Sequence, residues 1–339
     1  MKQRTFQRIT VAALIAQTGI VITGGVVRLS KSGLGCPTWP RCSGDSLLPG
    51  SSNPHPSLNQ AIEYTNRTLA GVVMAVGILC VIGAYRTQAD PKTKLLAWAQ
   101  PIGVLAQIVL GGVTVLVDLN PIAVGSHFML SMAILAMTWL LYARVSVRAV
   151  DVIAAPPAYV CWMRNALITV VALLLVIGTI VTGSGPHAGD DKAPRYHFSI
   201  GAVTQLHADF VWITFGLTLT LLGIFGAGGT APRAFRAARD LLIIELAQGV
   251  IGYVQYALGV PAVLVGFHIF GACLVWLATV RLVTTVRLGI TQPASEEPMA
   301  ATNVSTVPGA SVRKSDGSVT SSSISIGSPL SDGTTSTRA

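Results

Sequence analysis

Eight stretches of this chain are long and apolar enough to be membrane-crossing helices, and no other feature restricts the fold as much. A helix needs about 20 mostly apolar residues to cross a hydrocarbon layer about 30 Å thick. The stretches run roughly over residues 10–29, 66–84, 95–117, 122–143, 166–182, 206–225, 241–258 and 262–282. Lipid offers backbone groups no hydrogen-bond partner, so such segments must be helical or close into a barrel. Glycine is frequent inside them, as in membrane helices whose backbones approach closely. Composition agrees: 51% of the 339 residues are hydrophobic and only 11% are charged, against about 25% charged in a soluble domain. Mean hydropathy is +0.62. A soluble enzyme, a disordered regulator and a nucleic-acid binder are excluded. The expected fold is an all-α integral membrane protein with eight transmembrane helices, whose principal partner is the lipid bilayer.

The basic residues orient the bundle. With the N-terminus in the cytoplasm, 17 of the 23 lysines and arginines fall on the inner side. The positive-inside rule then places both termini in the cytoplasm of a multi-pass membrane protein. The net charge of +9 sets topology and implies no acidic partner. The first apolar run follows a basic start but lacks a small-residue cleavage signature, so it reads as a retained span. From Thr291 onward the chain changes character: 19 of its last 49 residues are Ser or Thr and none is aromatic. Such a segment buries too little apolar area to offset its ordering entropy, and residues 289–339 read as a disordered cytoplasmic tail.

A repeat is visible. Ala106-Gln107-Ile108-Val109-Leu110-Gly111 in the first half returns as Ala247-Gln248-Gly249-Val250-Ile251-Gly252 in the second, at an offset of 141 residues. The same offset carries His127 onto His268, inside Val124-Gly125-Ser126-His127-Phe128 and Val265-Gly266-Phe267-His268-Ile269, and Asn66 onto His207. Val21-Ile22-Thr23-Gly24 resembles Ile180-Val181-Thr182-Gly183 at a different offset. The chain therefore reads as two pseudo-symmetric four-helix bundles, residues 1–145 and 163–288, joined by a cytoplasmic linker at 146–162. Four helices per half give a parallel repeat about an axis along the membrane normal.

Three histidines, His127, His207 and His268, fall in membrane helices near their outer ends. His268 lies roughly 9 Å in, at 1.5 Å per residue. Two imidazoles at one depth in a bundle core can supply both axial ligands of a haem iron. Alternatively they are core histidines that hydrogen-bond helices together. Zinc or copper fits less well, because neither a Cys nor a carboxylate stands beside the pair and zinc takes three or four protein ligands.

The first half pairs His127 with Asn66, a poor haem-iron ligand. Glu63 precedes Asn66 by one turn, and residues three apart share a helix face, so both can look into one cavity. One half thus suggests a permanent cofactor and the other a reactive or exchangeable site. The plainer account of Glu63 is an interfacial carboxylate paired with Arg67 at i+4. Cys36 and Cys42, in the first outer loop, read as a disulfide, with two free thiols or a metal pair as alternatives. Cys80, Cys161 and Cys273 read as small hydrophobes.

Together, Thr23-Gly24-Gly25-Val26-Val27-Arg28-Leu29, Gly35-Cys36-Pro37-Thr38-Trp39-Pro40-Arg41-Cys42, Glu63-Tyr64-Thr65-Asn66-Arg67 and the three phased histidines resemble the haem A synthase family over roughly residues 8–288. The resemblance implies an oxidoreductase acting on a CH group. It would convert the C8 methyl of haem O to the formyl group of haem A, for cytochrome c oxidase. It implies a bis-His haem b held by His207 and His268 in the C-terminal half. The N-terminal half would hold the substrate haem, with His127 as iron ligand, Glu63 as catalytic carboxylate, and Asn66 and Arg67 in the pocket. It further implies a Cys36–Cys42 disulfide, location in a bacterial cell membrane, and a role in cytochrome c oxidase assembly. Haem O could be handed over by haem O synthase, and a homo-oligomer is left open. Many members of the family carry a second histidine where this chain has Asn66, so the resemblance does not imply bis-histidine ligation of the substrate haem here and leaves an open or water-filled iron position as an alternative. Outside the synthase class stand two alternatives, a non-enzymatic bis-histidine cytochrome and a haem carrier.

Overall fold

A computed structural model describes residues 1–43, 46–49, 57–146, 156–228 and 231–288. The tail at 289–339 and most of the linker lie outside the described residues, as does His55. The described residues form eight helices: α1 (Gln3–Leu29), α2 (Leu58–Arg86), α3 (Pro91–Leu116), α4 (Pro121–Ser146), α5 (Ala158–Ser184), α6 (Ile200–Gly228), α7 (Pro232–Ala257) and α8 (Ala262–Leu288).

Their starts follow local chemistry. The Ser57 hydroxyl accepts the Gln60 N–H at 3.2 Å and caps α2. Asp90 caps α3 by accepting the N–H groups of Lys92 and Thr93 at 3.0 and 3.2 Å, and Pro91 stands at the first helical position, where its missing N–H costs nothing. Arg144, at the end of α4, donates to Asp90 at 2.8 Å and ties α4 to the start of α3.

Seven of the helices, all but α7, are long and apolar enough to cross a membrane. The protein is a multi-pass membrane protein. Of the eight stretches expected to be long and apolar enough to cross, the one that forms α7 falls short. Its first turns carry Arg233, Arg236, Arg239 and Asp240, and Glu245 interrupts the apolar run that follows. It is nevertheless 26 residues long and packs on α6 and α8.

Packing joins α1 to α2 and α4, α2 to α3, and α3 to α4. It likewise joins α5 to α6 and α8, α6 to α7, and α7 to α8. The two sets meet where α1 and α4 contact α8 and where α4 contacts α5. At that seam the Trp276 indole donates to the Met132 carbonyl at 2.8 Å, and Trp139 donates to the Thr284 hydroxyl at 3.2 Å. Met132, Leu135, Leu167, Val171, Leu221, Leu241 and Trp276 belong to the largest buried cluster. Large apolar side chains on the outside, such as Ile15, Leu95 and Val263 at 69–71% exposure, face what would be lipid.

The 141-residue offset recurs in the backbone. At the α3–α4 turn, Leu119 N–H donates to Thr114 at 2.8 Å and Val124 N–H to Asn120 at 3.0 Å; at the α7–α8 turn, Val260 donates to Gln255 at 2.7 Å and Val265 to Pro261 at 3.1 Å. Both turns reverse through two left-handed residues, Asp118 and Leu119 in one, Gly259 and Val260 in the other.

Candidate functional site

His207 on α6 and His268 on α8 face each other, with ring centroids 6.3 Å apart and planes inclined by 57°. Their Nδ1 atoms are buried without a hydrogen-bond partner. Each ring edge rests on a glycine of an adjacent helix. A Cβ at Gly178 of α5 would stand 3.3 Å from His207 Cε1, and one at Gly252 of α7 would stand 3.5 Å from His268 Cε1. Gln248, one turn before Gly252, donates to the His268 carbonyl at 2.8 Å.

The first half repeats this constellation around His127 on α4. Gly111 of α3 lies at its ring edge, where a Cβ would stand 3.1 Å from Cε1. Gln107 donates to the His127 carbonyl at 3.1 Å and to the Ser131 hydroxyl. His127 Nδ1 is likewise buried and unpartnered. Gln107, Gly111 and His127 are Gln248, Gly252 and His268 shifted by 141 residues.

Asn66, at the place of His207, turns to α1: its Oδ1 accepts the Thr23 hydroxyl at 2.7 Å. Gly19 of α1 matches Gly178 when Val21–Gly24 is laid on Ile180–Gly183, and a Cβ there would meet nothing within 4 Å. The shorter Asn side chain leaves room where the second half fits an imidazole.

Glu63 on α2 is 5% exposed and takes partners from two directions. Its Oε2 accepts the Cys36 backbone N–H at 2.6 Å, and its Oε1 accepts Arg67 Nη2 at 2.6 Å and Nε at 3.0 Å. Arg67 donates onward to the carbonyls of Cys36 at 3.0 Å, Thr38 at 3.2 Å and Arg41 at 3.3 Å. The i+4 pair expected from spacing forms, and it also carries the Cys36–Cys42 loop. Glu63 and Asn66, expected to look into one cavity, turn to different elements. Cys36 and Cys42 form a buried disulfide with Cα atoms 4.3 Å apart. Within that loop the Trp39 indole lies directly against Gly112, the residue after the glycine at the His127 ring edge. The disulfide loop, Glu63 and the His127 site thus form one connected region.

Two arginines near the same ends of the helices, Arg28 and Arg195, are tied to backbone. Arg28 donates to the carbonyls of His187 at 2.6 Å and Thr182 at 3.2 Å, and Arg195 donates to Gly185. His187 bonds the Val260 carbonyl at 2.8 Å, and His197 is exposed. Among the described residues no three His, Cys, Asp or Glu side chains gather as a metal-binding group. One buried group escaped the sequence reading. Glu245 on α7 is 8% exposed and accepts the Thr218 hydroxyl of α6 at 2.8 Å. An acidic residue inside an apolar run was the signal that could have found it.

Fold and site together define a multi-pass helical membrane protein with half-buried histidines in repeated glycine-edged settings and a buried carboxylate bonded to a disulfide loop. The family described as COX15-CtaA, cytochrome oxidase assembly protein, matches residues 7–280, and the chain belongs to that family. It is 25% identical over 282 residues to a heme A synthase of Halalkalibacterium halodurans, covering 79% of this chain and 90% of that one. It is 29% identical over 183 residues to a heme A synthase of Shewanella oneidensis, covering 48% of this chain and about half (51%) of that relative. It is 30% identical over 140 residues to one of Alkalihalophilus pseudofirmus, covering 40% and 46%.

Proposed function

We propose that this protein is an oxidoreductase of haem A synthesis that converts the C8 methyl of haem O to a formyl group, supplying haem A for cytochrome c oxidase. The observation that carries the proposal is the Gln–Gly–His constellation repeated at 141 residues, completed by a second histidine in one half only. That asymmetry suits two haems with different tasks. The relatives' name and the family's description support the same activity.

In this proposal α1–α4 and α5–α8 are two pseudo-symmetric bundles, α7 crosses the membrane with the rest, and both termini are cytoplasmic. The C-terminal bundle holds a haem b between His207 and His268. The two imidazoles face each other with centroids 6.3 Å apart, and such a pair would hold a haem iron. The glycines at the ring edges let α5 and α7 approach the imidazoles closely. When bound, that haem supplies a one-electron acceptor.

The substrate haem lies in the N-terminal bundle with His127 as its iron ligand. Asn66 would be a poor ligand, and its Oδ1 already accepts the Thr23 hydroxyl, so His127 would be the one side chain of this pair to hold that haem. Glu63 is held by the Cys36 N–H and the Arg67 guanidinium in one orientation, because charge-assisted and bidentate bonds are the strong ones. With water supplying the oxygen, methyl plus water becomes formyl, four electrons and four protons. Glu63 serves either by stabilising positive charge at the porphyrin-conjugated carbon or by taking a proton from the attacking water. The Cys36–Cys42 loop, pinned by Arg67 and seated through Trp39 on α3, closes the outer side of this region. Haem O reaches the site from the membrane or from haem O synthase.

Pigment extraction from the purified protein, with reversed-phase chromatography and an optical spectrum, tests the proposal. Haem b with haem O or haem A is the expected result. Haem b alone, unchanged by co-expression with a source of haem O, makes the protein a plain cytochrome. Release of unmodified haem O makes it a carrier.

A further inference from the structure

Glu245 has no part in the chemistry above, yet it is a carboxylate buried among membrane helices. Its Oε1 accepts the Thr218 hydroxyl at 2.8 Å, while Oε2 is buried with no hydrogen-bond partner among the described residues. Polar groups in such surroundings are retained at a cost, and ionisable ones inside membrane helices mark pathways for protons or ions. A purely structural tie to Thr218 would be met as well by glutamine, at lower cost.

The position of Glu245 says what it could serve. Glu245, Gln248 and Gly252 stand at i, i+3 and i+7 and share one face of α7. Gln248 bonds the His268 carbonyl and Gly252 lies at the His268 ring edge. Glu245 therefore sits on the face turned toward the His207–His268 pair, about 10 Å further along the helix than Gly252. The offset of 141 puts Val104 and Gly77 at the places of Glu245 and Thr218, so the pair belongs only to the half with two histidines.

We propose that Glu245 is a proton-binding site coupled to the electron on the C-terminal haem; the proposal rests on His207 and His268 holding that haem. When the iron takes an electron, passing from ferric to ferrous, the Glu245 carboxylate takes a proton and becomes the carboxylic acid. When the electron leaves, the proton leaves. The electron comes from oxidation of the substrate methyl, which releases one proton with each electron. Charge in the low-dielectric bundle then stays balanced.

The helices packed against α7 are α6 and α8. Among their described side chains the titratable or charged groups are His207 and Asp209 on α6 and His268, Cys273 and Arg281 on α8. Asp209 accepts from Gln205 and Arg281 is paired with Asp240 of α7 at 2.8 Å. Glu245 itself forms no ion pair among the described residues, so its charge has no fixed counterpart and responds to the charge of the haem.

The test is redox potentiometry of the purified full-length holoprotein from pH 5 to 9, following the low-spin bands that His268→Ala removes. In the wild type the midpoint potential falls as pH rises, by up to about 59 mV per unit for a one-electron couple. In Glu245→Gln, which keeps the size and a hydrogen bond to Thr218, the bands persist and the potential is flat. A flat wild-type potential, or equal slopes in both proteins, overturns the proposal while leaving the haem assignment standing. Wild-type protein without low-spin haem overturns both. If Glu245→Gln fails to assemble, redox-difference infrared spectroscopy of the wild type decides. A deuterium-sensitive carboxylic acid band must appear on reduction, and its absence refutes the coupling.

Discussion

Replacing Glu63 by glutamine separates chemistry from scaffolding when it is set beside Arg67→Lys. Glu63 receives three hydrogen bonds from two partners, the Cys36 N–H at 2.6 Å and Arg67 at 2.6 and 3.0 Å. Glutamine keeps one acceptor oxygen, and its NH2 group must face a donor it cannot accept from. Hydrogen bonds to charged groups contribute about 1.5–3 kcal/mol, against about 0.5–1.5 for neutral ones. The loop anchorage therefore weakens by about 1–3 kcal/mol. Arg67→Lys weakens it comparably, because one ammonium cannot reach Glu63 and the carbonyls of Cys36, Thr38 and Arg41 in the geometry of a planar fork. Only Glu63→Gln also removes the negative charge from the reacting region, where loss of one electrostatic stabiliser costs about 10²–10³ in turnover. The assay is conversion of haem O to haem A in cells, quantified by reversed-phase chromatography, with the haem b spectrum as the folding control. Both variants should keep haem b. Glu63→Gln should lose haem A formation about 10²–10³-fold, and Arg67→Lys should lose markedly less. Equal losses would show that the carboxylate acts only by holding the loop. Normal haem A formation by Glu63→Gln would refute its catalytic role outright.

Three further outcomes follow from the same geometry. His268→Ala should abolish the low-spin spectrum of the C-terminal haem while the substrate haem is still extracted; persistence of that spectrum removes His268 as a ligand. Asn66→His should convert the N-terminal iron from high-spin to low-spin and slow turnover, since Gly19 leaves the space an imidazole needs; an unchanged electron paramagnetic resonance spectrum would count against His127 as sole ligand. The Thr93 hydroxyl, then the Thr93 N–H and Arg144, hold Asp90 down from 3.8 to about 2. A depressed folded-state pKa stabilises above the unfolded value, so this contribution is complete above about pH 4 and is lost as pH falls from 4 toward 2. Thermal unfolding in detergent should therefore separate wild type from Asp90→Asn at pH 5, with the difference vanishing only below pH 2.

Much of the site was legible because it lies on helices, where spacing along the chain is spacing in space. The three histidines, the 141-residue offset and the Glu63–Arg67 pair at i+4 all came from that regularity. The second partner of Glu63 was not legible. It is a backbone N–H in a loop, and every residue but proline carries one, so nothing in the letters singles out Cys36. The divergence of Glu63 and Asn66, three residues apart, also depends on which helix and which loop stand beside α2. Trp39 against Gly112 depends on the path of a loop closed by a disulfide.

The order of the amino acids alone was enough to set the class of the protein and where its helices lie along the chain. Apolar runs of this length have few other folds open to them in lipid, because each backbone group must find its partner within its own helix. Tertiary structure decided what those helices touch. Lipid is as apolar as leucine, so burial alone does not choose neighbours in a membrane; small residues, close fit and interhelical hydrogen bonds do. Gly111, Gly178 and Gly252 at the histidine edges, Trp276 on the Met132 carbonyl and Thr218 on Glu245 are such choices. Each requires two helices already in place, and that is why the role proposed for Glu245 came into view only in the folded bundle.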